Sequence, residues 1–113
     1  MPHRTIRIAD WSKTPGPRWI VQGPWSAELY RNQVLDDAFK EALTENTVLT
    51  VDLDGVAGYI PSFIEEVFGG LARDYTPSTV EGHLAIICED DEFQLKEAWE
   101  HVRTPKPEKR RNR

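Results

Sequence analysis

Thr5-Ile6-Arg7-Ile8-Ala9 alternates apolar and polar positions with period two and predicts a first strand at a sheet edge. Ser12 to Arg18, with Pro15-Gly16-Pro17, reads as a loop, and Trp19-Ile20-Val21-Gln22 as a second strand ended by Gly23-Pro24. Ser26 then stands as the N-cap of a helix reaching about Leu43, with Tyr30, Val34, Leu35, Ala38, Phe39 and Ala42 on its inward stripe and Asn46 as a left-handed C-terminal cap. Val48 to Leu53 alternates again, placing Leu49, Val51 and Leu53 on one face and Thr50 and Asp52 on the other. Leu84-Ala85-Ile86-Ile87-Cys88 is apolar on both faces and suits a more central strand. Asp90 or Asp91 caps a last helix that points Leu95, Ala98, Trp99 and Val102 inward, and Asp91 with Gln94 predicts a capping box. With a further helix opening at Ser62, the order is β-β-α-β-α-β-α. That is an α/β class domain, a sheet of about four strands with helices mainly on one face.

Composition narrows the class. Hydrophobic content of 39%, with four Trp, four Phe and three Tyr, fits one modest globular core. Apolar runs are too short to cross a bilayer, and Arg4 and Arg7 are followed by no signal-like apolar stretch. Cys88 has no second cysteine to pair with. These features predict a cytoplasmic protein with no membrane association. The net charge of −5 is unevenly spread: residues 104–113 hold Lys106, Lys109, Arg110, Arg111 and Arg113 against Glu108 alone. The expected division is therefore an acidic folded domain over 1–103 and a disordered basic tail over 104–113, with Pro105 and Pro107 blocking a helix. An acidic body repels phosphate backbones, so nucleic-acid contact is expected only through the tail.

Val51-Asp52-Leu53-Asp54-Gly55-Val56 resembles the first motif of haloacid-dehalogenase-like phosphatases, in which the first aspartate attacks phosphorus and the second handles the proton. That resemblance makes a small phosphohydrolase using Asp52 and Asp54 the alternative function. Its chemistry needs a lysine to neutralise the aspartyl-phosphate, and none lies between Lys40 and Lys96. Asp90-Asp91 follows too soon to supply the family's last acidic motif. His3, His83 and His101 show no ligand spacing with one another or with Cys88, so neither metal nor cofactor is expected.

On the helix opening at Ser62, Phe63, Ile64, Val67, Phe68, Leu71 and Tyr75 form one apolar arc. Opposite lie Glu65, Glu66, Gly69, Ala72 and Arg73, expected to face outward. Ser62 and Glu65 have the spacing of a capping box. Gly69 in the middle of an outward face is unfavourable by about 1 kcal/mol against Ala, which points either to a helix end, against which Leu71 and Arg73 continue the pattern, or to a partner backbone passing close. Glu65, Glu66, Gly69 and Arg73 are therefore the predicted partner-binding residues.

Ser62-Phe63-Ile64-Glu65-Glu66-Val67-Phe68-Gly69-Gly70-Leu71, preceded by the Asp-Leu-Asp-Gly turn at 52–55, resembles the bacterial STAS-like family of unknown function. Gly23-Pro24-Trp25-Ser26-Ala27-Glu28-Leu29-Tyr30-Arg31 is similar to that family's entry to its first helix. Ser26, Glu28, Arg31, Asp54, Gly55, Phe63, Phe68 and Gly70 carry the match, while Ala27 and Ile60-Pro61 depart from it. The resemblance implies a non-catalytic regulatory module that docks through the Ser62 helix. The related anti-sigma-factor antagonists are phosphorylated on a serine at that helix start, which makes Ser62 a candidate phosphorylation site. It also implies the partner classes: a histidine-kinase-like ATPase, an anti-sigma factor, or a second copy of the chain.

Overall fold

Arg4–Arg7 (β1), Leu49–Asp52 (β2) and Leu84–Ile87 (β3) pair in parallel in that order, in a computed structural model that describes residues 4–107. The register aligns Ile6 with Val51 and Ile86, and Thr5 with Thr50 and Ala85. Alternation then sorts the faces: Ile6, Leu49, Val51, Leu84 and Ile86 are buried, whereas Thr5, Arg7 and Ile87 are exposed on the other side. The α/β class stands as expected.

The fourth strand does not form. Ile20–Gln22 is a single 3₁₀ turn instead. The N–H of Trp19 goes to the Gln22 side chain (2.9 Å), that of Ile20 to Glu28 Oε1 (2.9 Å), and those of Gln22 and Gly23 to Trp19 and Ile20 carbonyls. A segment that satisfies most of its donors locally has few left for a ladder. β3 was expected to be central, but β2 takes that place and leaves Ile87 exposed at an edge. The first strand also stops early, because the chain turns into a short helix α1, Ile8–Trp11.

Helix α2 spans residues 27–45 as three continuous pieces, Ala27–Tyr30, a π turn Arg31–Leu35, and Asp36–Glu45. Ser26 caps it by accepting from the Leu29 N–H (3.0 Å), and Asn46 ends it in the left-handed region at φ 53°. Helix α3 spans 61–75 in the same manner, with Pro61–Ile64, a π turn Glu65–Gly69, and Gly70–Tyr75. A helix that the hydrophobic pattern does not predict, α4 over Pro77–His83, runs straight into β3. Thr76, at φ 80°, caps it. Helix α5, Glu92–Arg103, is capped by Asp91, which accepts from Phe93 (3.0 Å) and Gln94 (3.3 Å). The order along the chain is β-α-α-β-α-α-β-α.

The middle of α3 packs against both α2 and α5. Tyr30, Leu35 and Phe39 of α2 meet Phe63, Val67, Phe68 and Leu71 of α3, with Ala98 and Val102 of α5 closing the far side. Helix α5 ends at Arg103. Just beyond it, the Lys106 carbonyl accepts from Arg73 (3.2 Å), so the segment after α5 begins docked on the body. Residues 108–113 of the expected basic tail lie outside the described residues.

Candidate functional site

Because α3 is covered by α2 and α5, most of its polar side is shielded from solvent, and only Arg73 is half-buried. Glu65 and Glu66 are each only 5% exposed, and Gly69 and Ala72 are buried. The expectation that Glu65, Glu66, Gly69 and Arg73 form an outward docking face is overturned. An amphipathic pattern shows which side is apolar, but a helix with neighbours on both sides buries its polar side as well, provided the charges are paired.

The pairing is supplied by three arginines from three segments. Arg18, from the loop before α2, bonds Glu65 and approaches Glu66 at 3.5 Å. Arg31, the first residue of the α2 π turn, reaches Glu66 (3.3 Å), Asp36 (3.2 Å) and Asp74. Arg73 bridges Glu65 (2.7 Å) and Glu66 (3.0 Å). Burial pushes the Glu65 carboxyl up, but hydrogen bonds from Arg18 and Arg73 outweigh it and hold Glu65 below its usual range. Burial of Glu66 outweighs the pull of Arg73, Arg31 and Arg18, so its carboxyl lies above that range. Burial disfavours charge on Arg31 too, yet its bond to Asp74 leaves the guanidinium more firmly protonated than usual. A polar cleft of about 100 Å³ opens beside the network, lined by Glu28, Arg31, Asn32, Asp36, Glu66, Arg73 and Asp74.

The two glycines are the space this network needs. A Cβ on Gly69 would sit 2.6 Å from Glu65 Oε2, and one on Gly70 would overlap the Arg31 guanidinium and lie 2.9 Å from Glu66 Oε2. What passes close to the helix at Gly69 is the protein's own Glu65 side chain.

The turn after β2 ties its two aspartates to backbone N–H groups and to Arg7. Asp54 accepts backbone N–H groups from Glu89 (2.9 Å) and Asp90 (2.8 Å), clamping the exits of β2 and β3 together. The Asp90 and Glu89 bonds hold its carboxyl below the usual range. Gly55, at φ 91°, donates to Asp90 (3.2 Å), a conformation that disfavours any side chain. Asp52 accepts from the Asp54 N–H (2.9 Å) and pairs with Arg7 (3.4 Å). Burial raises the Cys88 thiol, which keeps it protonated. Among the described residues, no group of three His, Cys, Asp or Glu side chains is placed to hold a metal ion.

Ser62 does not cap α3. The helix begins one residue earlier, with Pro61 in its first turn and Ile60 as a cap without a side-chain bond. The expected capping box is absent because Glu65 has turned inward to Arg18 and Arg73. Ser62 is left half-buried at the helix start.

A family model for the STAS-like domain of unknown function (DUF4325) matches residues 27–93, more than half of the chain. The chain belongs to that family. No curated protein and no solved structure matches it. In this STAS-like domain the two sequence motifs meet at one place, through the Arg31–Glu66 pair. Ser26 caps α2, and Glu28 accepts from Ile20 and so holds the loop that carries Arg18. Phe63 and Phe68 are fully buried core, and Gly70 makes room for Arg31. Sequence pattern alone does not single out Arg18, Asp36 and Asp74 as members of this network. Asp36 and Asp74 carry no signal beyond helical spacing, and Arg18 lies in an aperiodic loop. Among the described residues, no helix is long and apolar enough to cross a membrane.

Proposed function

We propose that the chain is a non-catalytic regulatory module of a bacterium or phage, working in the cytoplasm by binding another protein. The partner class is a histidine-kinase-like ATPase or an anti-sigma factor, as the relation to anti-sigma-factor antagonists implies. The docking surface is the N-terminal end of α3 with the loop beside it, since the middle of α3, residues 63–72, is buried. One observation carries this placement. Trp25 is 43% exposed with its backbone at φ 56°, a conformation that costs a bulky residue on the order of 1–3 kcal/mol. Its indole packs edge-on against Trp11 (5.1 Å), which in turn contacts Phe63 of α3 (6.3 Å). Exposed Ile60 stands at the same helix start. Strain retained at an exposed aromatic is a mark of a binding position.

Co-purification with such a partner tests the reading. Trp25→Asp and Ile60→Asp should abolish capture of the partner while circular dichroism stays unchanged. Undiminished capture by both variants would refute the placement. Phosphorylation of Ser62 is favoured by the pairing of Glu65 and Glu66, whose charges are met by Arg18, Arg31 and Arg73 rather than left to repel a phosphate. Arg18 holds Glu65 one turn from Ser62, so a phosphate there would compete for it. Ser62→Glu should then weaken partner binding and Ser62→Ala should not; equal effects would exclude the phosphate switch.

A further inference from the structure

The outer side of α5 carries a groove of about 560 Å³, lined by Glu92, Phe93, Leu95, Lys96, Trp99 and Arg103, that no other element among the described residues fills. Phe93 is 69% exposed, the largest open aromatic surface among the described residues, and Leu95 and Trp99 are only half-buried. Glu92, Lys96, Trp99 and Arg103 are spaced four, three and four residues apart, the spacing of a seam between two packed helices. The chemistry along that seam reads anion, cation, aromatic, cation.

We propose that the occupant is a second copy of this chain, its α5 laid antiparallel across the first about a twofold axis. The order of the seam selects this arrangement. Antiparallel pairing centred between Glu97 and Ala98 sets Glu92 opposite the second copy's Arg103 and Lys96 opposite the second copy's Trp99. Each contact occurs twice, as a twofold interface requires. One is a carboxylate–guanidinium pair and the other an ammonium over an indole face. Parallel pairing would instead set Glu92 on Glu92, Lys96 on Lys96 and Arg103 on Arg103, all repulsive. Phe93 then falls one turn from the second copy's Trp99 and covers the apolar floor. In the single chain, Arg103 already lies over the Trp99 ring at 5.2 Å and makes a loose, exposed pair with Glu81 at 3.7 Å, so it exchanges weak partners for a better one. A twelve-residue helix is about 18 Å long. The pairing therefore covers less than the roughly 800 Å² per partner of a standard interface, and the dimer dissociates on dilution into the low micromolar range.

Sedimentation equilibrium of the full chain over a wide dilution series tests this. The expected result is a monomer–dimer equilibrium. Glu92→Arg and Arg103→Glu should each weaken it by about tenfold or more, because each reversal strikes two symmetric pairs. The double variant Glu92→Arg/Arg103→Glu should restore it, and Phe93→Ser should weaken it with no charge change. Circular dichroism of each variant checks that α5 stays folded, as exposed positions on this helix should allow. A chain that is monomeric at all concentrations overturns the proposal. So does a dimer indifferent to either reversal, or a double variant no tighter than the single ones.

Discussion

Replacing Gly70 by Ala sets two effects of opposite sign against each other. Gly70 is helical, at φ −61° and ψ −41°, so helix propensity alone favours Ala by about 1 kcal/mol. The added Cβ, however, would overlap the Arg31 guanidinium and lie 2.9 Å from Glu66 Oε2. Arg31 is 7% exposed and held by Asp36, Glu66 and Asp74, so it has little room to move without giving up a partner. Breaking a buried ion pair costs about 3–5 kcal/mol. The net expectation is a loss of about 2–4 kcal/mol, which lowers the melting temperature by roughly 10–20 °C for a domain of this size. Gly82, in α4, is the internal control, because a Cβ added there would meet nothing within 4 Å; Gly82→Ala should gain up to about 1 kcal/mol. Urea denaturation of the two variants side by side decides the matter. A second arm repeats Gly70→Ala in an Arg31→Met background, where most of the cost should vanish. If Gly70→Ala stabilises as Gly82→Ala does, or costs the same without Arg31, the glycine is not there to seat the arginine.

Ser26→Ala should cost about 1 kcal/mol in urea denaturation, because Ser26 caps α2. Ser62→Ala should cost far less, and an equal loss would restore Ser62 as the cap of α3. Asp54 is held below the usual carboxylate range, so its stabilisation is full above its unfolded-state pKa and is lost as pH falls through the lower folded-state value. Asp54→Asn should therefore flatten the acid limb of the stability–pH curve; an unchanged limb would show that the two backbone bonds to Asp54 do not form in solution. The proposed lack of catalysis predicts no Mg²⁺-dependent hydrolysis of a generic phosphate ester, and turnover that disappears in Asp52→Asn would establish the phosphohydrolase alternative.

Local chemistry was legible along the chain wherever a short stretch suffices to satisfy itself. Ser26 and Asp91 cap the helices they precede, Asn46 ends α2, and the apolar stripe of α2 and the apolar arc of α3 face the core. The alternation of Leu49 to Asp52 likewise matches a strand with one buried and one open face. Each of these depends on residues within about one helical turn or one strand of each other.

Tertiary structure decided the rest, because it determines what lies on the other side of each element. Trp19 to Gln22 has strand-forming residues, but Gln22 and Glu28 take the N–H groups of Trp19 and Ile20, and a turn results. Glu65 and Glu66 have the pattern of a solvated face, and their place between α2 and α5 makes them buried charges instead. Gly69 looks like an opening for a partner, but Glu65 and Arg73 of its own helix fill it, and Arg31, from α2, takes the space over Gly70. Periodicity records which side of a helix is apolar. Whether its polar side meets water or counter-charges depends on segments tens of residues away, brought there only by folding.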